Sequence, residues 1–142
     1  MNSSVRSITP KRLTTLVRWF ALGTMSAFGA ALMPRKWMVE TTEFLGLEFP
    51  GGEIPVYLAR HLSLLYGFVG VLFWWIAADI KPRSILLRPL AWMAIAFGSM
   101  QIVVDAMAAL PWWWTLGESL STVFGGCFLL WLVPKNFGTA KK

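Results

Sequence analysis

Four windows of the chain carry no Asp, Glu, Lys or Arg: residues 19–34, 62–78, 89–104 and 119–134. In each, apolar residues run round the whole helical circumference, whereas a helix on a soluble bundle keeps one polar face. A membrane-spanning helix needs ~20 residues, and the flanks supply the difference. Leu13 to Val17 precede Arg18, whose long stem can snorkel to the interface; Leu86 and Leu87 precede Arg88, and Ala106 to Leu110 follow Asp105. The pattern predicts spans near 14–33, 58–78, 86–109 and 116–133. Inside lipid the backbone must satisfy its own hydrogen bonds, and no alternating pattern of barrel strands is present, so the spans are expected to be helices.

Proline punctuates the predicted ends. Pro34 follows the first span, Lys81-Pro82-Arg83 separates the second from the third, Pro111 closes the third and Pro134 the fourth. The short connections make consecutive helices antiparallel neighbours. The expected fold is therefore an all-α, integral membrane four-helix transmembrane bundle forming a single domain over residues 1–142. Residues 34–57 form the one sizeable external loop. There Pro34 opens a segment with Trp37, Met38, Thr41, Phe44 and Leu45 on one side and Arg35, Lys36, Glu40 and Glu43 on the other. Such a segment reads as a short interfacial helix between helices 1 and 2, either a cap over the bundle end or a docking surface. Gly46 is expected to end it, and Pro50-Gly51-Gly52 with Pro55 to turn the chain back.

Composition agrees with a membrane protein: 56% of residues are hydrophobic and 14% charged, too few charges to cover so small a soluble domain. The basic residues set the orientation. Arg6, Lys11, Arg12, Arg18, Lys81, Arg83, Arg88, Lys135, Lys141 and Lys142, 10 of the 13, fall on the side of the N-terminus, the second loop and the C-terminus. Arg35, Lys36 and Arg60 fall on the other. The positive-inside rule makes the first side cytoplasmic. The net charge of +6 then points to an anionic lipid bilayer as partner and not to nucleic acid.

Tryptophans mark both interfaces. Trp19, Trp74, Trp75, Trp92 and Trp131 lie toward one side, Trp37 and Trp112 to Trp114 toward the other. The Trp112–Trp114 run could also stack on a base or a sugar. A second reading of the first span is a secretory signal, from Arg18, the apolar run and Gly29-Ala30-Ala31. Cleavage would leave three spans; the long N-terminal region and the lack of a soluble domain downstream favour retention.

Small residues mark the expected helix seams: Gly23, Ala27 and Ala30; Gly67 and Gly70; Ala94 and Gly98; Ser121, Thr122, Gly125 and Gly126. Chemistry-bearing residues are few. Cys127 is alone, and no phosphate-binding, nucleophile-elbow or zinc-protease motif occurs. His61 is the only histidine, which excludes a two-histidine haem from one chain. No catalytic, cofactor-binding or metal residues are assigned. The remaining candidate is a polar cluster toward the external ends of the helices: Arg60 and His61 on the second, Gln101 and Asp105 on one face of the third, and Glu118 opening the fourth, bordered by Tyr57 and Tyr66. It reads either as a structural clamp in which Arg60 pairs with Asp105 or Glu118, or as a pocket for a ligand or protons. His61, Asp105 and Glu118 are also the right types for a metal.

The run Leu32-Met33-Pro34 with Trp37-Met38, the Tyr57-Leu58-Ala59-Arg60 opening with Leu62-Ser63 and Leu65-Tyr66, and Asp105 followed by Pro111-Trp112-Trp113 and Glu118 resemble small bacterial four-helix membrane proteins near the broad DoxX-like set. The resemblance covers residues 32–133. It implies the four-helix fold and a bacterial inner (plasma) membrane, and DoxX-like relatives imply quinone-linked redox chemistry. The expected role is a structural or accessory subunit with membrane-protein partners or a homo-oligomer; the alternative is a binder or carrier of a quinone or lipid. An enzyme ranks third.

Overall fold

A computed structural model describes residues 9–133. These are almost wholly helical, in the order α1 (Pro10–Met25), α2 (Ala27–Ala31), α3 (Arg35–Phe44), α4 (Ile54–Ala78), α5 (Ile80–Arg83), a 3₁₀ turn (Ser84–Leu86), α6 (Leu87–Met107), α7 (Trp112–Thr115), a π-turn (Leu116–Leu120) and α8 (Ser121–Leu132). Three continuous stretches, Ile54–Ala78, Ile80–Met107 and Trp112–Leu132, are long and apolar enough to cross a membrane. A fourth arises if Pro10–Ala31 and Arg35–Phe44, bent by 117° from each other, form one span. The closing residues Pro134, Lys135, Lys141 and Lys142, and Arg6 at the other end, lie outside the described residues.

Prolines explain the boundaries. Pro10, Pro55, Pro82 and Pro89 all sit in the first turn of a helix, where their missing N–H would have no intrahelical acceptor. This corrects two expectations. Lys81-Pro82-Arg83 is helical and not a connecting loop, so the second and third long helices are separated by Asp79 alone. Pro55 lies inside α4, which starts at Ile54, before the expected position 58. The first helix is also interrupted: at Ser26, whose hydroxyl bonds the Gly23 carbonyl at 2.6 Å, α1 gives way to α2.

The described residues form two compact units, Thr15–Ala78 and residues 9–14 with 79–133. In the first, α1 and α2 run antiparallel to α4: the Phe20 ring meets Phe73 at 4.8 Å, Met25 lies on Gly70, Phe28 lies on Gly67, and the Met33 carbonyl accepts Arg60. Arg18 lies 5.6 Å from the Trp74 ring centre, a cation–π contact. The helix expected between the first and second spans is present as α3, with Pro34 as its N-cap, and it buries none of its residues. It ends as expected at Gly46 (φ 71°). There the Gly46 and Leu47 N–H groups bond the Glu43 and Thr42 carbonyls, a Schellman closure.

In the second unit α6 and α8 are antiparallel. A Cβ on Gly98 would stand 2.8 Å from the Ser119 carbonyl oxygen, and one on Gly126 would stand 2.7 Å from that of Ala91. At one end of the pair the Arg88 guanidinium donates to the Val133 carbonyl at 3.0 Å, satisfying an orphan acceptor just past the end of α8. Besides Leu87 and Leu132, the buried positions recur every seven residues: Ser84, Ala91, Gly98 and Asp105 on one side of the seam, Ser119, Gly126 and Val133 on the other. That period is the signature of a left-handed supercoiled pair. Gly23 and Gly125, expected in seams, meet nothing within 4 Å; the seam glycine of α8 is Gly126.

Candidate functional site

Asp105 is the most deeply buried ionisable side chain described, with 6% of its surface exposed. α6 positions it in its last turn, and its backbone helps to close that helix. The Leu110 N–H bonds the Asp105 carbonyl at 3.1 Å, and Ala109 N–H bonds Ala106 at 3.2 Å. Ala109 takes the left-handed conformation at φ 51°, so this is again a Schellman closure, here without glycine. The Asp105 carboxylate oxygen Oδ2 accepts the Ser119 hydroxyl at 2.6 Å. One turn earlier on the same face, Gln101 Nε2 donates to Glu118 Oε1 at 3.1 Å.

The π-turn brings these partners together. Glu118 and Ser119 are adjacent within Leu116–Leu120, and the wider winding carries both toward α6. Winding of this kind disturbs the normal carbonyl pairing. Here the hydroxyls of Ser121 and Thr122 reach the Glu118 carbonyl at 2.9 and 2.8 Å, and Ser121 also reaches Gly117 at 2.6 Å. Hydroxyl groups thus add bonds to carbonyls of the π-turn, beside the Ser121 N–H that the Glu118 carbonyl also accepts.

The seven residues singled out from the sequence fall into two groups. Gln101, Asp105 and Glu118 are together, with Ser119 as the missed fourth member. Arg60, His61, Tyr57 and Tyr66 lie on α4 in the other unit. Arg60, expected to pair with Asp105 or Glu118, donates to the Met33 carbonyl at 3.3 Å and is exposed. His61 Nδ1 lies 3.1 Å from the Tyr57 carbonyl, and its ring packs on that of Tyr57 with centres 4.0 Å apart and planes tilted by 36°. Both contacts are local to one helical turn. Tyr66 is half-buried. The metal reading of His61, Asp105 and Glu118 is not supported: among the described residues no three His, Cys, Asp or Glu side chains are grouped to hold an ion.

Ser119 was legible in one respect. It begins the seven-residue series Ser119, Gly126 and Val133, and a hydroxyl in the same series as a seam glycine faces the partner helix. As an arrangement, the four groups form two hydrogen-bonded pairs between one helix and the next. Each donor is matched to an acceptor, which orients the pair of helices. No protein-family model, no curated protein and no solved structure matches this chain.

Proposed function

We propose that this chain is a multi-pass integral membrane protein whose role is structural, as an accessory subunit of a membrane assembly. The observation that carries the reading is the use of the polar groups at the α6–α8 seam. Asp105 is held by Ser119 and Glu118 by Gln101, and polar groups matched to one another in an apolar seam fix register. The uncovered apolar surface supports insertion in lipid. Only 17% of the most apolar window of Trp112–Leu132 is buried, and Phe124, Phe128 and Trp131 are exposed; apolar surface on this scale marks contact with lipid or another protein.

The membrane in this proposal is a bacterial inner membrane, as the DoxX-like resemblance implies, with both termini cytoplasmic because of the ten-to-three division of basic residues. Reporters placed after Asp79 and at the C-terminus are expected inside, and one after Gly51 outside. An external C-terminal reporter would contradict the orientation. Copurification from native membranes tests the role: an accessory subunit brings stoichiometric protein partners. An extractable quinone or lipid without protein partners would replace this reading with that of a carrier.

A further inference from the structure

The corner between α2 and α3 combines a groove, an exposed helix and a nearby cation. Met33, Trp37, Glu40, Thr41 and Phe44 line an open groove of about 380 Å³. These positions recur at helical spacing, so the groove runs along one side of α3. No residue of α3 is buried; Trp37 is 59% exposed, and Phe44 and the preceding Leu32 are more exposed still. The apolar side chains Met33, Trp37 and Phe44, with Glu40 and Thr41 beside them, thus line a side of α3 that its unit leaves open. The 117° bend at Leu32-Met33-Pro34 turns α3 far off the axis of the helix that precedes it.

One end of the groove is cationic. Arg60 reaches from α4 to the Met33 carbonyl, so its guanidinium stands where Met33 begins the groove. That group carries five N–H donors, and one of them is directed at the carbonyl. Two nearby acids have cationic neighbours: Arg35 holds Glu53 at 2.6 Å, and Lys36 lies 3.8 Å from Glu40, which lines the groove. The N-terminal end of α3 adds backbone N–H groups with no intrahelical acceptor and the positive end of the helix dipole. The depth also fits. The 25 residues of α4 make a rod of about 37 Å against a hydrocarbon layer of ~30 Å. Arg60 lies six residues from the start of α4, about 9 Å along it, so its backbone stands just inside the hydrocarbon edge and its long side chain can snorkel to the lipid headgroups.

We propose that this corner holds one phospholipid, its phosphate on Arg60 and one acyl chain along Met33, Trp37 and Phe44. Charge complementarity selects the occupant. A cation at the mouth and the apolar side chains of Met33, Trp37 and Phe44 behind it match an anionic phosphate joined to a chain, and a guanidinium meets phosphate with two parallel hydrogen bonds. The inference rests on the reading of the chain as a membrane protein.

The test uses the full chain in lipid nanodiscs with two photoreactive probes that carry the same diazirine acyl chain, a phosphatidylglycerol and a diacylglycerol. Adducts are mapped by peptide mass spectrometry. The phospholipid is expected to label residues 33–44 preferentially, and Arg60→Gln to reduce that labelling about tenfold. Adducts on α6 and α8 should stay constant, which controls for folding. Arg60→Lys should retain part of the labelling. Adducts on α6 and α8 but none on residues 33–44, equal labelling there by both probes, or indifference to Arg60→Gln would each overturn the site. Absence of adducts anywhere in the chain would overturn the membrane reading as well.

Discussion

In the Thr15–Ala78 unit, both glycines that permit close approach sit on α4, and they face different kinds of neighbour. A Cβ on Gly67 would strike the Phe28 ring at 2.5 Å, whereas one on Gly70 would strike the Met25 backbone N and the Ala21 carbonyl at 2.6 and 2.8 Å. In the α6–α8 unit each helix contributes one glycine, and each glycine faces the other helix's backbone. A ring can swing aside, but a carbonyl within a helix cannot move without the helix. The second unit also joins its helices through Ser119–Asp105 and Gln101–Glu118. In the first unit Arg60 donates to the Met33 carbonyl, at the far end of the α4 pairing. The α6–α8 pair is thus set by backbone contact and matched polar groups together, and it should be the less forgiving of the two.

The largest expected effect follows from that difference. Gly126→Leu or Gly98→Leu should destabilise the protein by about 3 kcal/mol, at the upper end of overpacking penalties, as read by thermal melts in detergent. Gly125→Leu, one residue away, should stay within about 0.5 kcal/mol because its side chain enters open space. If Gly125 proved as sensitive as Gly126, the seven-residue phase of the seam would be wrong. Next in size, Gly67→Ala should cost about 1 kcal/mol. Combining it with Phe28→Leu should recover part of that loss, while no single side-chain truncation should rescue Gly126→Ala.

These positions show what could be read from the chain. The windows without charge located the three long helices, because a helix apolar enough to cross a membrane carries no charge on any side. The same property hides the rotation: a helix apolar all round has no polar face to say which of Gly125 and Gly126 points inward. Only the period of seven in the small residues carries that information. The α3 helix was legible from Pro34 to Gly46 because both ends are set by local backbone chemistry. The helical Lys81-Pro82-Arg83 segment was not, since proline reads as a break unless the helix start is known to lie two residues before it. Asp105 and Glu118 were recognised as unusual, but their partners depend on the π-turn, and no local sequence signal predicts that winding.

Effects no larger than that of Gly67→Ala compare two helix ends of identical design. Gly46 and Ala109 occupy the same left-handed position in Schellman closures, yet only the first has no Cβ. Ala109→Gly should therefore stabilise by about 1 kcal/mol, and Gly46→Ala should destabilise by about the same amount. Effects of the same sign at both would show that the backbone conformation is not what limits these ends.

The central claim is that Asp105 is bound into the seam by Ser119 and holds the helix pair together. A double-mutant cycle of Asp105→Ala and Ser119→Ala, followed by thermal unfolding, tests it most directly. Ser119→Ala alone should cost about 2 kcal/mol, because it leaves a buried carboxylate oxygen without its donor. The double variant should lose clearly less than the two single variants added together. Strictly additive losses would show that the two side chains do not depend on each other, and would contradict the account.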